Sequence, residues 1–314
     1  MESLQTIRKI DLIDLQTRAI DLNQKGNQVR ILSKDEIFNL IDVHEPYYAL
    51  KDVTVSANHF AACRIESEQP LGKEVSPVAA SEASRHMAIL GSLCCAMVNP
   101  VKQKHYYLAY CGTYTRAVDE AYWTGNELIV TAECISFDKR KATVRACLLN
   151  HQYQLICGID VSYHVIHHTV FERLYANGYQ QMPDFELKNP YRIKSRLLDV
   201  QLSDLCATAS LGEIRRENCL GHFPSFPAMP VAILLSALLD LATIYIHHAK
   251  GDETLNMLVK EFTLLADNLA FSGETVTLCV NQEACSDNRF KLRCLAKSTD
   301  GKSVGDITAI IESV

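Results

Sequence analysis

Residues 221–230 form the stretch Gly-His-Phe-Pro-Ser-Phe-Pro-Ala-Met-Pro, which leads directly into the apolar segment 231–246. The three prolines restrict the backbone of this stretch. The last of them, Pro230, suits the first turn of a helix because its missing N–H would be unpaired there anyway. The apolar segment is therefore predicted to be a buried helix. A histidine held in so stiff a loop, His222, is predicted to be a positioned base.

Around this stretch the sequence predicts the same order of elements twice. In the second half, two strands precede the loop and a helix over 230–248, and four further strands follow. In the first half, two strands precede a helix over 77–98, and four strands again follow. Strand-helix-strand units repeated at a long period predict an α+β fold with an internal repeat.

The predicted domains follow this repeat. A helical extension covers 1–45, a first strand-helix-strand unit covers 46–180, and a second covers 181–314. Within the extension, Ser33 and Glu36 form a capping-box pattern that predicts a helix beginning at residue 34.

Composition narrows the classes of function. The chain of 314 residues carries 31 Lys and Arg against 37 Asp and Glu, and a net charge of -6 does not favour binding to nucleic acid. Its 12 cysteines are scattered and form no C-x-x-C pair, which predicts reduced thiols in a cytoplasmic protein. Residues 1–14 carry charges where an export signal needs an apolar block. Asp240 interrupts the apolar segment, so a core helix is predicted instead of a membrane span.

The stretch 221–230 resembles the signature of the β-hydroxyacyl-ACP dehydratases of fatty-acid synthesis, Gly-His-Phe-Pro-x-x-Pro-x-Met-Pro, at every fixed position. The turn 271–274 is similar to that family's Pro-Gly-Asp turn. The family has a hotdog fold, in which an antiparallel sheet wraps around a central helix, and it works as a dimer. The resemblance implies a double hotdog in which two such units lie in one chain.

One departure from the family changes the expected site. The family places a catalytic Asp or Glu fourteen residues after the histidine, and here that position is Ser236. The first-half helix carries Glu82 and, on the same face, His86, which is similar to the acidic-x-x-x-Gln/His pattern of dehydratase domains. Sites in the family's dimers take the histidine from one unit and the carboxylate from the other. The resemblance therefore implies one composite site of His222 and Glu82, and a degenerate second site with Gln69 near Ser236.

The implied chemistry removes a proton from C2 and a hydroxide from C3 of a 3-hydroxyacyl thioester. His222 would be the base and a protonated Glu82 the acid. The backbone N–H of Val231, at the start of the second-half helix, would bind the developing oxyanion. The other predicted site residues are supporting ones, His86 and Gly221, and substrate contacts, Phe223, Met229 and Pro230.

The sequence thus predicts a hydro-lyase: a 3-hydroxyacyl-thioester dehydratase, or an enoyl hydratase, in fatty-acid or polyketide-type synthesis. Its substrate would be carried on the phosphopantetheine of an acyl carrier protein or on coenzyme A, with no other cofactor, no metal and no nucleic-acid partner. One alternative is a hotdog acyl thioesterase, in which Glu82 activates water and His222 orients the substrate. The other is a non-catalytic, degenerate hotdog that binds acyl chains or a partner. The acyl chain length, the carrier, the pathway, the direction of reaction and the pairing of two chains as a homodimer stay open.

Overall fold

The computed structural model describes residues 9–24, 29–56, 60–118, 127–181 and 188–314. The chain forms two compact units. The first unit comprises Met1–Glu66 and Ala83–Asn177, and the second comprises Ser67–Glu82 and Gly178–Val314. Glu82 and His222 therefore belong to the same unit. The domain limits proposed from the sequence stay predictions.

The first unit is built on one antiparallel sheet. Its strands lie in the order β1-β2-β3-β5-β6-β7-β4. The strands are β1 (Val29–Ile31), β2 (Lys51–Ser56), β3 (Phe60–Ile65), β4 (His105–Arg116), β5 (Leu128–Phe137), β6 (Lys141–Asn150) and β7 (Leu155–His167). The helices are α1 (Lys9–Gln24), α2 (Lys34–Leu40), α3 (Ala80–Val98) and α4 (His168–Leu174). The first three residues of α3 belong to the second unit.

The second unit has one long helix and its own run of antiparallel strands. These lie in the order β10-β13-β12-β11-β9-β8. The strands are β8 (Leu198–Leu202), β9 (Cys206–Glu213), β10 (Met257–Leu265), β11 (Thr275–Ser286), β12 (Arg289–Ser298) and β13 (Ser303–Ser313), and the helix is α5 (Val231–Lys250).

The two units share one connectivity. In the second unit two strands precede the long helix, in the first unit the short edge strand β1 is added to these two, and in each unit four strands follow the helix. The sheet orders β2-β3-β5-β6-β7-β4 and β8-β9-β11-β12-β13-β10 place corresponding strands in the same succession. This is the repeat of elements that the sequence predicts.

Close approach of the helix to the sheet in the first unit depends on a glycine. A Cβ on Gly91 of α3 would lie 2.7 Å from the Tyr163 hydroxyl of β7 and 2.8 Å from a methyl of Val144 on β6. The Tyr163 hydroxyl also donates a 2.7 Å hydrogen bond to the backbone oxygen of Ala88. Only a residue without a side chain therefore fits at this contact.

The helix α5 forms the core of the second unit. Among the described parts of the chain, it alone is long and apolar enough to cross a membrane by length and composition, and 67% of its most apolar window is buried inside the protein. It ends at Gly251, which has the left-handed backbone (φ +66°) common after a helix. A long, apolar and largely buried helix is equally typical of the core of a folded unit.

The N-terminal extension is helical only in part. The helix α2 has the predicted capping box, because Ser33 and Glu36 each accept a hydrogen bond from the other's backbone N–H. However, β1 was expected to be helical. It instead pairs with β2 at the edge of the sheet, so tertiary pairing decides its structure. The helix α1 packs on the sheet through a buried cluster: Leu12, Leu15, Ala19, Phe60, Cys147, Leu149 and Leu155.

Candidate functional site

The imidazole of His222 lies in a loop of unusual backbone. Its two neighbours, Gly221 and Phe223, have φ angles of +75° and +54°. Glycine adopts this conformation readily, whereas phenylalanine does so only when its surroundings hold it there. The buried ring of Phe223 stacks on the His222 imidazole with ring centroids 4.0 Å apart. The loop therefore fixes the orientation of the imidazole.

A backbone carbonyl sets the tautomer of His222. The Nδ1 atom lies 2.8 Å from the backbone oxygen of Ala228. Because a carbonyl oxygen only accepts hydrogen bonds, Nδ1 must carry the proton and donate. In the neutral ring Nε2 is then the acceptor. In this tautomer Nε2 is able to accept a proton or a hydrogen bond, and the role of His222 as a base stays a prediction.

A turn that follows α5 and β10 in the sequence forms backbone hydrogen bonds with the loop. The backbone N–H of Met229 donates to the Ala270 oxygen at 2.8 Å, and that of Ser272 donates to the Pro227 oxygen at 2.9 Å. These bonds lie within the turn region that resembles the family's Pro-Gly-Asp turn. From another direction, a guanidinium nitrogen of Arg216 donates to the Pro224 oxygen at 3.3 Å.

The helix α5 starts where the sequence predicts an oxyanion donor. Pro230 is its N-cap, and the Pro230 oxygen accepts from the N–H groups of Ile233 and Leu234. Val231 is the first helical residue, half-buried, and no side chain caps the helix. Its role as oxyanion donor stays a prediction. The residues predicted to contact substrate are all buried: Phe223, Met229 and Pro230.

The carboxylate of Glu82 is buried and bound by the backbone. It lies in the first turn of α3 with only 2% of the residue exposed. One oxygen accepts from the backbone N–H of Glu68 at 2.6 Å, and the other accepts from that of Gln69 at 3.2 Å. Hydrogen bonds from two amides stabilise the ionised form of a carboxylate. The sequence predicted a functional carboxylate here but not this pair of donors.

Two carboxylates that could serve as metal ligands, those of Glu68 and Glu82, lie in the second unit. Both oxygens of Glu82, however, already accept backbone N–H groups. The absence of a metal and the supporting role of His86 both stay predictions.

A short turn joins the segment around the predicted acid to the loop of His222. The side chain of Asn189 donates to the Glu68 carboxylate at 3.0 Å and accepts from the N–H of Tyr191 at 2.9 Å. The buried Tyr191 hydroxyl then donates to the backbone oxygen of Leu220 at 2.7 Å, two residues before His222. All of these residues lie in the second unit. Sequence reasoning missed both turn residues, since an Asn-Pro pair signals only a turn.

The residues assigned to a degenerate site are both buried. Ser236 lies on α5, and Gln69 lies beside Glu82, to which its backbone donates. The side-chain oxygen of Gln69 is buried and has no hydrogen-bond partner among the described residues. The facing of Gln69 and Ser236, and the direct approach of His222 to Glu82, stay predictions.

One half-buried ion pair in the second unit was not predicted. Asp240 lies one helical turn after Ser236 and pairs with Lys194. Burial raises the pKa of the Asp240 carboxyl, and the Lys194 ammonium opposes part of that rise. The sequence indicated this aspartate only as an interruption of an apolar helix.

Comparison with known proteins identifies the fold. No protein-family model and no curated protein sequence matches the chain. Among solved structures, a TesB protein from Mycobacterium avium subs paratuberculosis matches 84% of this chain and 95% of its own with a TM-score of 0.56 at 9% identity. An acyl-CoA thioesterase II, TesB2, from Mycobacterium marinum matches 90% and 98% with a TM-score of 0.52 at 12% identity.

A third structure carries the fold in its description. It is a conserved protein of unknown function with a hot dog fold from Alicyclobacillus acidocaldarius, which matches 83% of this chain and 95% of its own with a TM-score of 0.51 at 10% identity. Likeness at such low identity establishes the fold and nothing further. The chain therefore has a hotdog fold, as the sequence predicts, while the dehydratase family itself is not shown.

Proposed function

We propose that the protein is a double-hotdog enzyme that acts on acyl thioesters, and that its reaction is hydrolysis of the thioester. The repeat of one strand order in both units supports the double hotdog. The observation that carries the reaction is the state of Glu82, whose two oxygens both accept backbone N–H groups. This binding favours the ionised carboxylate.

An ionised Glu82 suits one of the two reactions better. Dehydration needs this group to donate a proton to the leaving hydroxide, which an ionised carboxylate does not carry. Hydrolysis needs it to accept a proton from water. The hydrogen bonding of Glu82 therefore supports the thioesterase alternative over the dehydratase that the sequence first favoured. The likeness to structures named TesB and acyl-CoA thioesterase II supports the same choice.

In the proposed reaction Glu82 takes a proton from water as the water oxygen adds to the thioester carbonyl. The backbone N–H of Val231 stabilises the resulting oxyanion. Collapse of the intermediate breaks the C–S bond, and the thiolate leaves and is protonated by Glu82. His222 Nε2, a hydrogen-bond acceptor, holds an N–H of the phosphopantetheine arm. The carrier is coenzyme A or an acyl carrier protein.

A second candidate is dehydration of a 3-hydroxyacyl thioester, or the reverse hydration. The tautomer of His222 favours it, because Nε2 is presented as a base in a loop that matches the dehydratase signature. In this reaction His222 takes the C2 proton, and Glu82 must be protonated to release water. A cytoplasmic location and a homodimer of double hotdogs stay predictions.

The test uses the purified chain with two substrates. Release of free thiol from lauroyl-CoA measures hydrolysis, and the ultraviolet absorbance of the enoyl thioester follows 3-hydroxylauroyl-CoA dehydration. We expect thiol release that Glu82→Gln lowers by about 10²- to 10⁴-fold, whereas Ser236→Ala, the matched control on α5, leaves it unchanged.

Other results assign other functions. Dehydration without thiol release, lost in both Glu82→Gln and His222→Ala, would establish the second candidate. Retention of lauroyl-CoA with no turnover of either substrate would show a non-catalytic acyl binder and overturn the proposal.

A further inference from the structure

An arginine at the end of β4 has no acceptor for most of its N–H groups within the part of the chain that the structure describes. Arg116 is only 6% exposed, and its Nε donates to the backbone oxygen of Val118 at 2.8 Å. Its terminal nitrogens, Nη1 and Nη2, are both buried and have no hydrogen-bond partner among the described residues. Because a guanidinium stays protonated in proteins, this is a buried charge whose end-on face has no acceptor.

Such an arrangement is unfavourable in a folded protein. Buried charges are normally paired with an opposite charge, and a buried charge without its partner strongly destabilises the native state. Arg145 of the same unit follows the rule, because it forms a bidentate pair with Asp160. Because no described residue neutralises the outer nitrogens of Arg116, a ligand from outside the chain is a candidate partner.

The strand register shows which way the Arg116 side chain points. Arg116 lies directly opposite Cys157 of β7 in the antiparallel pair. On β7, Tyr163 points toward α3, since its hydroxyl donates to the Ala88 oxygen. Residues an even number apart on a regular strand share a face, as do directly opposed residues. Arg116 therefore points to the face of the sheet that α3 covers, and not to the opposite face, on which α1 packs.

The surroundings on this face are apolar. Tyr114, two residues before Arg116, is 1% exposed, and the opposed residues Ile159 and Cys157 of β7 are also buried. A ligand that reaches the guanidinium must therefore carry its charge on an otherwise apolar body. Inorganic anions, which are strongly hydrated, fit such surroundings less well.

We propose that Arg116 is the anion-binding group of a ligand site within the first unit, and that its ligand is an apolar organic acid. Nη1 and Nη2 together present the end-on pair of donors that matches the two oxygens of a carboxylate. This site goes beyond the proposed thioester chemistry and does not depend on it.

The test is calorimetric titration of the full chain with laurate, with methyl laurate as the neutral probe and inorganic phosphate as the hydrophilic anion. We expect laurate to bind and Arg116→Met to weaken that binding by about 10- to 100-fold. Arg116→Lys keeps the charge but not the paired donors, so its loss should be smaller. The control Arg140→Met, at an exposed arginine, should bind laurate as the unchanged protein does.

Thermal unfolding keeps the proposal falsifiable if binding is weak. Without ligand, Arg116→Met should unfold at the same or a higher temperature, because it removes a buried charge without a partner. A lower Tm for Arg116→Met would show that the chain itself neutralises Arg116. Equal laurate affinity in Arg116→Met, equal binding of methyl laurate, or preference for phosphate would each overturn the proposal.

Two acidic residues, Asp119 and Glu120, follow closely in the sequence but lie outside the described residues. The double variant Asp119→Asn with Glu120→Gln tests whether one of these carboxylates, and not an external ligand, neutralises Arg116. If laurate occupies the site, this variant keeps its laurate affinity or gains some. If this variant and Arg116→Met instead both unfold at a lower temperature than the unchanged protein, the counter-ion is internal and the ligand site is refuted.

Discussion

Glu82→Gln should lower both stability and activity, and the two losses have separate causes. Glutamine has nearly the shape of glutamate but only one side-chain oxygen. It can therefore accept from one of the two backbone donors, Glu68 at 2.6 Å or Gln69 at 3.2 Å, but not from both. The other N–H would face an NH₂ group inside a site that is 2% exposed.

The magnitude follows from that geometry. A hydrogen bond to a charged group contributes about 1.5–3 kcal/mol, and a buried donor left without an acceptor loses a comparable amount. Glu82→Gln should thus lower the free energy of unfolding by about 2–3 kcal/mol. Glu82→Ala, which leaves both N–H groups without this acceptor and creates a cavity, should lower it further.

Urea unfolding followed by circular dichroism measures the stability of both variants, and thiol release from lauroyl-CoA measures their activity. Glu82→Asp is the informative control, because it keeps the charge on a shorter side chain. It should retain some activity where Glu82→Gln has lost about 10²-fold or more. A Glu82→Gln protein as stable as the unchanged chain would refute the bonding described here, and one as active would refute the role of Glu82 as base.

Three further outcomes test other parts of the structure. Tyr191→Phe removes the hydroxyl bond to Leu220 and should cost about 1 kcal/mol of unfolding free energy; unchanged urea unfolding would contradict that bond. Gly91→Ala should destabilise by about 1–3 kcal/mol because its Cβ meets Tyr163, and a calorimetric Tm at or above that of the unchanged chain would contradict the close packing. Burial raises the pKa of Asp42, but hydrogen bonds from its partners outweigh burial and hold it at about 2, below its usual 3.8. The resulting stabilisation of about 2 kcal/mol is complete above pH 3.8 and is lost as pH falls through about 2; an Asp42→Asn protein whose urea stability does not fall below that of the unchanged chain at neutral pH would contradict it.

The strands and helices were predictable where local sequence patterns determine them. The fifth strand occupies Leu128–Phe137, one of the four β-rich stretches, bounded by turn residues, that the sequence predicts as strands after the first-half helix. The first-half helix was expected from residue 77 but begins at Ala80. Its Ala80 N–H donates to the Glu74 carboxylate at 2.8 Å, a cap supplied six residues upstream that propensity does not reveal.

The sequence proposes the residues of the candidate site, whereas their protonation states depend on contacts that only the folded structure shows. The sequence singled out His222 because the prolines that follow it restrict the backbone whatever surrounds them. The protonation of its ring depends on the backbone oxygen of Ala228, and the charge of Glu82 depends on two backbone amides. Every residue but proline has such groups, so their positions follow from the fold and not from residue identity.

The same limit explains the residues that were missed. Asn189 and Tyr191 lie in one turn and matter through their contacts. The Asn189 side chain donates to the Glu68 carboxylate, and the Tyr191 hydroxyl donates to the Leu220 carbonyl. Arg116 carried no signal in the sequence, because an arginine on a strand is ordinarily a solvated residue. Only its burial and the absence of acceptors among the described residues distinguish it.

The proposed hydrolysis is tested most directly by following the oxygen of water. The protein is incubated with 2-dodecenoyl-CoA in water enriched in a heavy oxygen isotope, and the products are analysed by mass spectrometry. Attack of water at the thioester carbonyl predicts one heavy oxygen in the carboxylate of released dodecenoic acid, at a rate that Glu82→Gln lowers by about 10²-fold or more. Heavy oxygen found instead in the C3 hydroxyl of an intact 3-hydroxyacyl thioester, with no free acid, would contradict hydrolysis and establish hydration.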